Sequence, residues 1–427
     1  MATAAPAIRQ FRPLRVYVTL VLLAIGFASI AWTRLSIAII LPEVMKGIGV
    51  ASLAVGGLIS TFTVLGTGIA EPFMGRLADV LGRRFMLILG LALFSLFSLL
   101  TGLVSNVPEM ATVRILLGVA QGMFIPCYVA FVGSAFPSRR GIAVAILVGA
   151  FTVGNAIDPL FTRAVFGWTG AWQAPFIIYG LFGLLLAALL FPLGSGGLYE
   201  VGRKRKADVT DEDEALAVQQ GKTGIFGRGM VLLMVTMTAW GLTQYGYLGL
   251  FVTFLRTQQH FSLGDAAAVL SIAGWCSFGS SFLMGWLSDH IGRRNTMLIS
   301  GSLGLVFSYP LFTLTGSFWP AVIIAIVFQS CNGHFYPMGL AYAQDMARAH
   351  TLGGHTGAVS GIGHIMAGVA GLVAGSIAGS MGFLAVGWEF VALSAVMLLC
   401  IYLTVDPVHA TRLAERRAAA RMAIAEA

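Results

Sequence analysis

Charge is what this chain has least of. Only 10% of its 427 residues are charged and 57% are apolar, whereas soluble domains carry roughly one charged residue in four. That argues against a soluble globular protein and puts most of the chain in lipid. Cysteine is scarce as well. Cys127, Cys276, Cys331 and Cys400 each sit inside an apolar stretch, with no C-x-x-C pair and no metal-finger spacing. A disulfide scaffold and a zinc module are therefore not expected, and the four read as inert packing residues. No nucleophile–base set or phosphate loop is present, and the 53 glycines fall in small-x-x-x-small packing patterns, so the chain does not read as an enzyme and needs no cofactor. A net charge of +8 does not signal a nucleic-acid partner, because Lys and Arg form short clusters between apolar runs and no basic face.

What the sequence has is long apolar stretches. Twelve are long enough to cross a hydrocarbon core of roughly 30 Å, at about 16–41, 53–78, 84–104, 108–136, 141–164, 171–193, 229–256, 263–288, 295–316, 319–346, 355–381 and 384–405. Six fall on each side of 194–228, which holds the basic run Arg203-Lys204-Arg205-Lys206 and the acidic run Asp211-Glu212-Asp213-Glu214. The expected organisation is a six-helix bundle over 1–193, a cytoplasmic linker over 194–228, a second six-helix bundle over 229–406 and a cytoplasmic tail over 407–427. The first run, after Arg9, Arg12 and Arg15, is about 25 residues and too long for the core of a cleaved signal peptide. With the amino terminus inside, 21 of the 26 Lys and Arg residues fall on the cytoplasmic side. The positive-inside rule then places both termini in the cytoplasm of a bacterial-type inner membrane.

The two sets of six are copies. Gly75-Arg76-Leu77-Ala78-Asp79-Val80-Leu81-Gly82-Arg83-Arg84 returns 210 residues later as Gly285-Trp286-Leu287-Ser288-Asp289-His290-Ile291-Gly292-Arg293-Arg294. Gln121-Gly122-Met123-Phe124-Ile125-Pro126 likewise corresponds to Asn332-Gly333-His334-Phe335-Tyr336-Pro337. Parallel halves of this kind predict a pseudo-two-fold axis along the membrane normal, with a site near the midplane.

The doubled G-x-L-x-D-x-x-G-R-R turn, with Arg114-Ile-Leu-Leu-Gly118 opening the fourth span, resembles the major facilitator superfamily over nearly the whole chain. The resemblance implies an all-α membrane protein of twelve transmembrane helices in two pseudo-symmetric six-helix bundles. It also implies a cavity lined mainly by spans 1, 4, 7 and 10 and a rocker-switch cycle. Within that superfamily, Thr33-Arg34-Leu35-Ser36 and the stretch from Arg114 to Gly122, with Phe136-Pro137, are similar to the organic anion symporters. That sub-family commonly has an acidic residue where Thr33 stands and a glutamate where Gln121 stands. The antiporter pattern G-x-x-x-G-P-x-x-G-G is broken in Gly149-Ala-Phe-Thr-Val-Gly154-Asn155-Ala156-Ile157-Asp158-Pro159, which favours uptake over drug efflux.

Individual residues then stand out by their depth. Arg34 lies about eighteen residues into span 1, where a charge costs on the order of 3 kcal/mol by insertion scales unless it meets water, a partner or a ligand. It either clamps a substrate carboxylate or sits in a permanent ion pair. Asp158 is a coupling carboxylate or a partner of Arg163, and Glu71 is a proton carrier or a gate near the charged turn. His334 and His364 are able to take a proton near neutral pH, or simply to bond across helices. Gln121, Gln244, Tyr247 and Asn332, within a polar aromatic set that also includes Trp240, Tyr245 and Gln329, would orient a carboxylate with an apolar body, the alternative being ordinary helix packing. Gly75, Asp79, Arg83, Arg114, Gly285, Asp289 and Arg293 read as conformational gate parts.

The expected partners are a small anionic substrate, protons or another coupling ion, and membrane lipids, around a monomer with no resident metal. The expected function is proton-coupled uptake of an organic carboxylate. Proton-driven efflux of drug-like or cationic compounds is the alternative, and it requires Asp158 to face the cavity. Metal or metal-chelate import, suggested by His334, Cys331, Cys127 and the 17 methionines, lacks a clustered ligand pattern.

Overall fold

Hydrocarbon offers a backbone no hydrogen-bond partner, so each apolar run closes its own amide bonds as a helix. The computed structural model describes residues 13–135, 140–193, 198, 226–346 and 352–404, with the backbone alone described at 13, 75, 76, 79, 130, 133–135, 140–148, 289 and 352–354. The linker over 194–228 (Leu198 and 226–228 apart) and the tail over 407–427 lie outside the described residues. In the first half, α1 is Pro13–Ile39, α2 Leu41–Gly47, α3 Leu53–Leu81, α4 Arg83–Thr101, α5 Val107–Ala135, α6 Arg140–Thr169 and α7 Ala174–Leu193. In the second, α8 is Arg228–Thr257, α9 Leu263–Ile291, α10 Arg293–Ser308, α11 Phe318–Asn332, α12 Phe335–Met346, α13 Leu352–Met381 and α14 Phe383–Leu403. Among the described residues, nine of these stretches are apolar and long enough to cross a membrane by composition alone, α11 and α12 counting as one. With α6, α8 and α10 they make twelve spans.

Local chemistry fixes the ends. Gly82 (φ 91°) and Gly292 (φ 88°) each stop one helix and start the next in a conformation that a side chain disfavours. This explains the glycine of both G-R-R triplets. At the other end of the bundle, Ser262 Oγ accepts from the Asp265 amide at 3.0 Å, and Asn106 Oδ1 accepts from the Glu109 amide at 3.0 Å.

Span 10 departs from the expected single helix. It breaks between Asn332 and Phe335, although its copy in α5 runs through unbroken. Both copies have a proline four residues after the glycine, Pro126 and Pro337, so the proline by itself does not break the helix. The copies differ at Asn332 for Gln121, His334 for Met123 and Tyr336 for Ile125, and His334 stands at the break itself. Its ring is drawn to α9, Nε2 lying 3.1 Å from Ser280 Oγ.

The halves meet along α3 and α13, and along α6 and α9. A Cβ on Gly57 would collide with the Gly371 carbonyl, and one on Gly371 with the Gly57 carbonyl. Such bare backbone contact requires glycine on both helices. The contact runs from Leu53 against Gly375 to Pro72 against Gly361. Ser271 Oγ donates to the Ala156 carbonyl at 2.6 Å in the second seam. The end opposite the charged turns is further tied by Arg256, which donates to both oxygens of Glu43 at 2.6 and 2.8 Å.

Candidate substrate and coupling site

Arg34 is buried, 7% exposed, and α1 delivers it to the seam between the halves. Its Nε donates to Gln121 Oε1 at 2.8 Å, Nη2 to Thr67 Oγ1 at 3.0 Å and Nη1 to the Tyr245 hydroxyl at 3.3 Å. Gln121 Nε2 in turn donates to Thr33 Oγ1 at 2.9 Å, and the fully buried Arg114 donates through Nη1 to the Thr33 carbonyl at 2.7 Å. Nε and Nη2 of Arg114 have no hydrogen-bond partner. Among the described residues no carboxylate oxygen lies within 4.0 Å of either guanidinium. Two cations are thus buried with neutral partners only, and the permanent ion pair considered for Arg34 is not formed.

Beside Arg34 is a cavity of about 20 Å³, room for about one water. Arg34, Phe151 and Asn155 of the first half line it with Tyr245 and Leu248 of the second. The cavity is thus built from residues of both halves.

A second constellation joins the halves lower in the α3–α13 seam. His364 Nδ1 lies 2.9 Å from Glu71 Oε2, with side-chain exposures of 4% and 6%. The Ser360 hydroxyl donates to the same oxygen, and the Tyr336 hydroxyl is 2.9 Å from Ser360 Oγ. Tyr336 stacks on Trp240 at 5.4 Å, and Trp240 meets Tyr245 edge-on at 6.0 Å. The aromatic rings therefore connect this ion pair to the Arg34 cavity.

Asp158 is placed differently from expectation. Its Oδ1 accepts from Tyr179 at 2.6 Å, Ser36 at 2.8 Å and Thr162 at 2.9 Å, while Oδ2 has no hydrogen-bond partner. It is fully buried among α1, α6 and α7, so it neither pairs with Arg163 nor lines the cavity.

The second-half residues separate. Tyr245, not Tyr247, reaches Arg34. Tyr247 is fully buried, with rings of Phe251 and Phe328 at 5.0 Å each and its hydroxyl unbonded. Gln244 Nε2 donates to Gln329 Oε1 at 3.1 Å, leaving Gln244 Oε1 without a partner. Asn332 turns away from the cavity. Its Nδ2 donates to the Phe328 carbonyl at 3.1 Å, and its side chain lies against Gly304 of α10. His334 faces Ser280 and Ser281 of α9. Thr67, Asn155 and Phe151 were not singled out by the sequence; on helices apolar all round, only their neighbours reveal which face they occupy.

The family model for the Major Facilitator Superfamily matches residues 21–279 and 230–425. The chain belongs to the Major Facilitator Superfamily. A probable L-galactonate transporter of Escherichia coli is 25% identical over 75% of this chain and 71% of its own length. A gallate transporter of Pseudomonas putida is 30% identical over 69% of this chain and 70% of its own length. Multidrug resistance protein 2 of Bacillus subtilis is 23% identical over 86% and 89%. Among solved structures, an inward-facing bacterial homolog of the human lysosomal transporter Spinster superposes with a TM-score of 0.63 at 20% identity, covering 95% of this chain and 98% of that one. The protein is thus a multi-pass membrane transporter of this superfamily.

The superfamily turn is only partly described. Arg293 Nε donates to Asp345 Oδ2, and its Nη1 donates to Ser288 Oγ at 3.3 Å. Asp345 was missed because the matching position in the first half is Ser134. Gly285 has open space where a side chain would be, and Arg83 opens α4 directly after Gly82. Arg114 does not belong with these gate parts. It lies seven residues into α5 from the opposite end, against Thr33.

Proposed function

We propose that this transporter takes up a small organic carboxylate together with protons across the cytoplasmic membrane by alternating access. The carrying observation is the guanidinium of Arg34, hydrogen-bonded to neutral side chains and touching no carboxylate among the described residues, on a cavity shared by both halves. The positions where the organic anion symporters commonly carry acids are here Thr33 and Gln121, and both touch the arginine pair. A carboxylate entering the site would supply the missing negative charge through charge-assisted hydrogen bonds, each worth about 1.5–3 kcal/mol. Relatives named for galactonate and gallate transport support the same substrate class. Bundles over 1–193 and 229–406, cytoplasmic termini and a monomeric state complete this reading.

For coupling, Glu71 and His364 are the first choice, since their contact spans the two halves. Protonating Glu71 would remove the negative charge that holds His364 and release that contact. Asp158, held within one half, would titrate without parting the halves. Drug efflux, which the Bacillus relative represents, called for an acidic cavity wall; the residues lining the cavity include one guanidinium and no carboxylate. The test is uptake of labelled carboxylates into proteoliposomes under an imposed pH gradient. Accumulation that follows the gradient is expected. Failure of every carboxylate, with accumulation of organic cations instead, would reverse the reading.

A further inference from the structure

The cavity walls discriminate between the bodies that a carboxylate might carry. Resting on the carboxylate reading above, we infer that the Arg34 site takes a monocarboxylate with a flat aromatic body in preference to a polyhydroxylated acid. Only one charged group, Arg34, reaches the cavity; the unbonded nitrogens of Arg114 are buried away from it. One guanidinium matches one carboxylate.

The remaining wall is poor in free hydrogen-bonding groups. Ser60 Oγ donates to the Gly57 carbonyl at 2.6 Å, and Thr61 Oγ1 to the Gly368 carbonyl at 2.7 Å, so both protons are already engaged by backbone. The Tyr245 hydroxyl accepts from Arg34 and has a single proton to donate. Asn155 is left as the main group able to both donate and accept. A sugar acid brings several hydroxyls, and each one buried without a partner costs about 1–3 kcal/mol. An aromatic ring brings no such requirement and gains from burial against Leu35, Val64, Leu248 and Phe151. The Phe151 ring centroid lies 6.0 Å from Arg34 Cζ, so an aromatic face already flanks the guanidinium.

The aromatic relay adds a consequence for selectivity. Tyr245, which contacts Arg34, is followed by Trp240 and Tyr336 toward His364, with 4.9 Å between the Tyr336 and His364 rings. A flat substrate seated against Tyr245 would extend that series of rings, whereas a polyol would interrupt it.

The experiment is ligand-induced thermal stabilisation of the purified full-length protein, with apparent affinities measured for 3-phenylpropionate, benzoate, gluconate, galactonate and benzylamine. The two aromatic acids are expected to bind at least about tenfold more tightly than gluconate or galactonate, tenfold being about 1.4 kcal/mol. Phe151→Leu, checked by its own melting transition, is expected to weaken the aromatic acids several-fold and to leave the sugar acids unchanged. Equal or tighter binding of the sugar acids would overturn the aromatic preference and leave the carboxylate reading standing. Binding of benzylamine alone, or of none of the five to a cooperatively melting protein, would overturn both.

Discussion

In the first six spans the polar groups at mid-bundle are ionic: Arg34, Arg114, Glu71 and Asp158 are all at least nine-tenths buried. In the last six the corresponding level holds Trp240, Gln244, Gln329, Asn332 and His334, joined largely by neutral amide, indole and hydroxyl contacts. His364 answers the ionic half through Glu71, while the Glu389 carboxylate of α14 is buried without a hydrogen-bond partner among the described residues. The repeated turns, with Gly82 and Gly292 in the same strained conformation, keep the mechanical frame symmetric. On the proposed function, this difference in core chemistry gives recognition of charge to the first half and the facing wall of the cavity to the second.

Glu71→Gln gives the largest expected break in this comparison, because it removes the carboxylate that His364 and Ser360 of the other half contact. Gradient-driven accumulation should fall at least about tenfold while substrate counterflow persists, since exchange needs no net proton movement. Equal loss of both would make Glu71 structural. Glu43→Gln should have a smaller effect. A partly exposed pair contributes about 1 kcal/mol or less, so labelling of a cysteine placed at that end of α8 should rise up to about fivefold. The smallest effect is expected from His334→Met, which gives span 10 the residue of its copy in span 4. Its ring contacts α9 and not the cavity, so substrate affinity should change less than about twofold. A larger change would move the second half's recognition onto His334.

The fold was legible because burial in lipid demands long apolar helices, and because duplication prints the same turn twice. Arg34 was legible by depth alone, since a guanidinium in mid-span needs a reason. Its partners were not. Glu71 and His364 are 293 positions apart, and no spacing rule brings them together. Tyr245 and Tyr247 are two residues apart, hence on nearly opposite helix faces. On α8, where Thr243, Gln244, Tyr245 and Tyr247 spread polar groups over several faces, no single polar stripe tells which face meets Arg34. The break at Gly333 was hidden for a related reason: the groups that hold His334 beside it, Ser280 and Ser281, lie on another helix.

The proposed function requires Arg34 to recognise the negative charge of the substrate. It is tested most directly by a binding cycle that compares benzoate with benzamide on the protein and on Arg34→Gln. The unmodified protein should prefer benzoate by about 10- to 100-fold, matching the net worth of a charged hydrogen bond, and the variant should bind both ligands equally. An Arg34→Gln protein that kept the full preference for benzoate would contradict the claim.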